Sequence, residues 1–212
     1  MSKRSSSAKY NENYSHICSS TLVNRDQLKS SFVDAGYTPT ELARIIDFYL
    51  THAPINRGED ASSPSRWLGE YGWKGASDLR SLESQLLKSS GIQSFIMLKS
   101  ARADMTINAM QLGDEICAEH PRAIMTLSCK TVVNEDGTVT VTPHETRMVC
   151  LFRHIRNALA HGLCYVLPNG NLLLDDKNEY GKTASMVIHA KTLANWVQIV
   201  DKNSLYYQVA GD

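Results

Sequence analysis

The chain has 212 residues, 42% of them apolar and 21% charged. That length suits one ordinary domain, and the balance is that of a globular protein, which excludes wholesale disorder. Lys and Arg number 22, as do Asp and Glu. The zero formal charge excludes a histone-like protein that coats nucleic acid with its whole surface, while leaving room for a local basic site.

No run approaches the ~18 consecutive apolar residues of a membrane span. Met1 to Tyr14 is polar and Ser-rich and lacks the apolar core of a secretory signal, so a cytoplasmic protein with no membrane partner is expected. The cysteines (18, 117, 129, 150 and 164) are odd in number and scattered, which predicts reduced thiols rather than a disulfide framework.

Residues 1–20 lack hydrophobic periodicity and read as a disordered or loosely attached tail. Asn24 with Gln27, and Thr38 with Pro39 and Glu41, have the spacing of helix N-caps. They predict helices over about 25–35 and 39–52, the second with a core stripe of Leu42, Ile45, Ile46 and Tyr49. The Gly- and Pro-rich stretch 54–76 reads as a long loop anchored by Trp67 and Trp73. Leu79, Leu82 and Leu86 predict a helix over about 77–88. Ile92, Phe95, Ile96, Ile107, Met110 and Ile116 extend helical spacing through 92–118, with Met97, Met105 and Met110 as core filler.

A β signal follows. SCKTVV and TVTV flank NEDG, CYVL and NLLLDD flank PNG, and SMVIH is a third extended run at 185–189. A last helix over about 191–201 carries Leu193, Trp196, Val197 and Val200 on one stripe. The expected fold is mainly α, a helical bundle with short β-hairpins late in the chain, forming a single domain over 21–212.

The helix that draws attention is PHETRMVCLFRHIRNALAH, residues 143–161, with Thr142 as N-cap, Glu145 reaching back to it, and Gly162 ending it. Nineteen residues span roughly 28 Å. On a helical wheel Met148, Leu151, Phe152, Ile155, Ala158 and Leu159 make the core face. Arg153, Arg156, Asn157, Ala160 and His161, with Cys150 and His154, make the other. Three arginines and three histidines stand here against one acid, Glu145, so a neutral chain has concentrated positive charge on one helix. Such a patch suits a phosphate or an acidic partner. His161 at a helix C-terminus can serve as general acid or base, and Arg156 can grip phosphoryl oxygens. The two lie about 140° apart on the wheel, so one helix does not aim both at one spot. A two-fold partner helix packed at Ala160 would, which predicts a homodimer through the 143–161 helix.

The string Arg156-Asn157-Ala158-Leu159-Ala160-His161-Gly162 resembles the signature of the HEPN superfamily (higher eukaryotes and prokaryotes nucleotide-binding domain). The resemblance covers one helix of the chain. It implies an all-helical, usually dimeric bundle and metal-independent endoribonuclease activity without a cofactor. Products would carry a 2′,3′-cyclic phosphate. Arg156 matches the phosphate-contacting Arg, Asn157 the polar position and His161 the catalytic His. Arg153 and His154 join as substrate-binding residues on wheel geometry. The resemblance also implies RNA as partner, an antitoxin or activator, and a role as toxin or antiphage effector. The alternative is a non-catalytic dimer that binds nucleotide, RNA or an acidic protein.

Other chemistry has weaker support. Cys150, His154, His161 and Cys164 could be assembled into a zinc site, but no Cys-x-x-Cys or His-Glu-x-x-His spacing exists, and no metal is expected. Gly-rich phosphate loops are absent. Asp175 and Asp176 read as a solvated turn.

Overall fold

The computed structural model describes residues 22–24, 28, 35–55, 67–99 and 115–206. The expected tail, most of the expected 25–35 helix, and Met105, Ile107 and Met110 lie outside these residues. Among the described residues there are four α-helices and nine strands. The helices are α1 (Pro39–Asp47, running on into a π-helical turn Phe48–His52), α2 (Gly75–Ser90), α3 (Arg147–Ala160) and α4 (Thr192–Val200). The strands are β1 (Leu22–Asn24), β2 (Ser94–Leu98), β3 (Glu115–Cys117), β4 (Arg122–Thr126), β5 (Cys129–Val133), β6 (Val139–Pro143), β7 (Cys164–Val166), β8 (Leu172–Asn178) and β9 (Gly181–Ile188).

Five strands form one mixed sheet in the order β2-β4-β9-β8-β7, with β2 parallel to β4 and the other pairs antiparallel. The helices cover one face of it. This is an α/β fold, and the expected helical bundle is corrected. The error arose at 92–118, where Phe95, Ile96 and Met97 are consecutive and partly buried in β2, and Glu115–Cys117 is also a strand. A short apolar run that meets protein on both faces does not alternate, and periodicity alone cannot tell it from a helix.

Strand parity assigns the rest. Ala123 and Met125 of β4, Leu172 and Leu174 of β8, and Ala184, Met186 and Ile188 of β9 point to the helical face and join the main core. Ile124, Leu173 and Val187 point to the opposite face, where Leu173 and Val187 pack with Ile116, Ala118 and Leu167. Asp176 pairs with Ala184 and so shares the helical face, while Asp175 pairs with Ser185 on the other. Both aspartates are buried, which corrects their reading as a solvated turn.

Local signals elsewhere hold. Thr38 and Glu41 form the expected capping box at Pro39. Ile45 and Tyr49 are fully buried, and so are Leu82 and Leu86 of α2 and Leu193, Trp196 and Val200 of α4. Trp73 is buried and donates Nε1–H to Val200 O at 2.8 Å, whereas Trp67 is 49% exposed and anchors little. Cys129, Cys150 and Cys164 are free, but Cys117 is disulfide-bonded, so the expectation of uniformly reduced thiols fails there. No helix among the described residues is long and apolar enough to cross a membrane.

Candidate functional site

Helix α3 begins four residues later than expected. Thr142 and Pro143 belong to β6, and the N-cap is Thr146, whose hydroxyl accepts from Val149 N–H. Glu145 does not reach back to a cap. Its carboxylate takes the guanidinium of Arg153 at 2.9 and 2.7 Å and the N–H of Ser128 at 2.6 Å. The C-terminus is as expected. Gly162 has φ +66, its N–H meets Leu159 O, and Leu163 N–H reaches Ala158 O at 2.8 Å, so two terminal carbonyls are satisfied by a left-handed glycine turn.

The expected polar face of this helix divides in two. Cys150, Arg153, His154 and Asn157 face inward onto β4 and β8. His154 has no exposed surface. Its Nδ1 lies 2.7 Å from Asp176 Oδ2, and Asn157 Nδ2 donates to the same oxygen at 3.1 Å. A carboxylate only accepts, so Nδ1 carries a proton. Nε2 lies between an acceptor, Thr126 O at 2.9 Å, and a donor, Arg153 Nη2 at 3.2 Å, so either protonation state of that atom finds a partner. The carbonyl of Thr126 also accepts from Arg153 Nη2 at 3.1 Å and from Cys150 Sγ at 3.3 Å. One helix is thereby tied to two strands through a closed polar network.

The electrostatics of this network are those of a holding device. Burial raises the Asp176 carboxyl, but the hydrogen bond and charge of His154 and the amide of Asn157 outweigh it and hold it below the ordinary range. Burial likewise raises Glu145, and Arg153 with Ser128 N–H reverses the sign. Burial pushes the Cys150 thiol up, so it stays protonated at neutral pH and is no nucleophile. His154 and Arg153, expected as substrate-binding residues, are placed by the structure in this intramolecular network. Their functional atoms are used within the protein, because β8 presents Asp176 at the parity of its inward leucines. Asn157 belongs to the same interior set. Thr126 and Asp176 escaped sequence reasoning. The alternation Leu172, Leu174, Asp176 was the available signal.

The other half of the set stays outside. Arg156 is half-buried and His161 exposed at the helix end. Neither side chain makes a hydrogen bond or ion pair among the described residues. The four other basic groups of this segment are engaged: His144 with Ser128 Oγ at 2.8 Å, Arg147 with Glu83 at 2.7 Å, Arg153 with Glu145, and His154 with Asp176. No cluster of three or more His, Cys, Asp or Glu that could hold a metal ion occurs among the described residues. No family model, curated protein or solved structure matches the chain.

Proposed function

We propose that the protein acts on RNA through Arg156 and His161, as a metal-independent endoribonuclease. One observation carries this reading. Of six basic residues between 144 and 161, four are held by partners of the chain itself, and the two left over are the two termini of the Arg-Asn-x-x-x-His string. Arg156 has no acid partner among the described residues, and a phosphate is the anion its planar fork suits. The reading rests on these side chains and on the motif resemblance, since the helical bundle that the resemblance implied is not the fold.

In the proposed reaction the ribose 2′-oxygen attacks the adjacent phosphorus. The bond from phosphorus to the 5′-oxygen breaks, leaving a 2′,3′-cyclic phosphate and a 5′-hydroxyl. His161 takes the 2′-hydroxyl proton as the new bond forms and gives it to the leaving 5′-oxygen, so no proton is gained or lost. Arg156 neutralises the charge that builds on the phosphoryl oxygens. Asn157, fixed by Asp176, orients the turn of helix that carries Arg156.

A second reading is favoured by the angle between the two side chains. Arg156 and His161 sit about 140° apart around the helix axis. A chain that binds RNA at Arg156 without cutting it would need no closer approach. Purified protein incubated with mixed RNA in EDTA separates the two. Cleavage with cyclic phosphate ends, lost in both Arg156→Lys and His161→Ala while their melting curves match wild type, is the expected result. Cleavage that survives His161→Ala overturns the catalytic reading, and binding without cleavage establishes the second.

A further inference from the structure

The hairpin of β5 and β6 forms a two-stranded sheet of its own, outside the five-stranded sheet. Its register pairs Lys130 with Thr142, Thr131 with Val141, Val132 with Thr140 and Val133 with Val139. Val133, Val139 and Val141 therefore share one face, and they are 69%, 61% and 43% exposed. A lone two-stranded ribbon is marginal in water, and one with bare valines more so. From this placement we infer that β6 pairs edge to edge with β6 of a second copy of the chain, making a four-stranded antiparallel sheet across a two-fold axis. The inference is independent of the proposed reaction.

The backbone fixes the register. Asn134 N–H bonds to Thr138 O and His144 N–H to Ser128 O, so the even-numbered residues of β6 direct their hydrogen-bonding groups toward β5. The N–H and C=O groups of Val139 and Val141 consequently point away from β5, along the edge that no other described strand pairs with. Antiparallel pairing centred on Thr140 sets Val139 opposite Val141 of the second copy, and the reverse, satisfying all four groups on each chain. A register moved toward the C-terminus would bring in Pro143, which has no N–H to give. The Thr140-centred register also brings Val133, Val139 and Val141 of both copies onto one continuous face.

Charge selects a second copy as the occupant. In this register only Thr140 meets its own copy and the other edge residues meet one another, so a charge at the centre would oppose a like charge, and charges of one sign along the edge would repel across it. From Gly137 to Pro143 the sequence is GTVTVTP, with no charged residue. The other edge, β5, carries Lys130, a residue that blunts strand addition. A chain of zero formal charge adds no long-range repulsion.

Sedimentation velocity and light scattering on the full chain at 1–100 μM (roughly the range over which weak dimers form) test this. Wild type should sediment at twice the chain mass. Thr140→Lys, which places two ammonium groups across the axis, and Val141→Pro, which removes an edge donor but no backbone bond within the hairpin, should each sediment as a folded monomer, with a far-UV circular dichroism spectrum like that of wild type. An equimolar mixture of Thr140→Lys and Thr140→Glu should restore the dimer. A monomeric wild type overturns the inference, and so does a dimer that Thr140→Lys leaves intact, because the contact then lies elsewhere.

Discussion

His154 Nδ1 and Asp176 Oδ2 are 2.7 Å apart, with both side chains almost wholly enclosed, so α3 is pinned to an interior strand of the sheet by one short hydrogen bond. Removing either partner leaves the other without this bond, and removing Asp176 also strands the amide of Asn157. Asp176→Ala and His154→Ala should each lower unfolding free energy by about 3–5 kcal/mol, the usual cost of breaking a buried pair from one side. His161→Ala should cost at most ~1 kcal/mol, because its ring is exposed and loses only a helix-end interaction. Urea denaturation of the three variants checks the order. Equal losses would mean that His161 is also a packed residue.

Acid should act through the same network. The Asp176 and Glu145 carboxyls are both held below their unfolded values. A depressed carboxylate adds stability that is complete above the unfolded pKa of about 4 and is lost as pH falls through the folded value. The melting temperature should thus hold near neutral pH and drop from about pH 4 downward. Asp176→Asn should shrink that drop. A melting profile unaltered in shape by Asp176→Asn would remove this residue from the acid response.

The position of the helix start is open to a simple comparison. Thr146→Ala deletes the hydroxyl that accepts from Val149 N–H and should cost about 1 kcal/mol. Thr142→Ala changes an exposed strand residue of β6 and should stay within about 0.5 kcal/mol. The reverse ranking in thermal melts would return the cap to Thr142.

RNA binding should weaken with salt, but shallowly. Each phosphate contacted on a single strand contributes about −0.7 to the slope of log K against log salt. Arg147 and Arg153 already hold carboxylates, so Arg156 alone predicts a slope near −0.7, and with protonated His161 about −1.4. Fluorescence anisotropy with a labelled oligonucleotide across a salt series gives the number. A slope steeper than about −3 per chain would show that cations elsewhere carry the binding.

Features that depend on near neighbours could be read directly. The Thr38 capping box, the Gly162 helix stop, the two hairpins around Gly137 and Gly170, and the stripe of α4 each rest on residues within one or two turns of one another. Their physics is complete in a short stretch of chain. The concentration of cations on α3 was legible for the same reason.

What tertiary structure decided was which of those cations remain available. A helical wheel sorts side chains by direction but cannot say what lies in each direction. The β4 carbonyl of Thr126 and the β8 carboxylate of Asp176, 28 and 22 residues from His154, convert its polar face into an interior one. The same holds for 92–118, where a neighbouring strand turned an apolar run into β2. Asp176 shows the reason most plainly. Its charge predicts solvent, but strand parity turns it inward, and only His154 and Asn157 arriving from a helix distant in sequence make that burial tolerable.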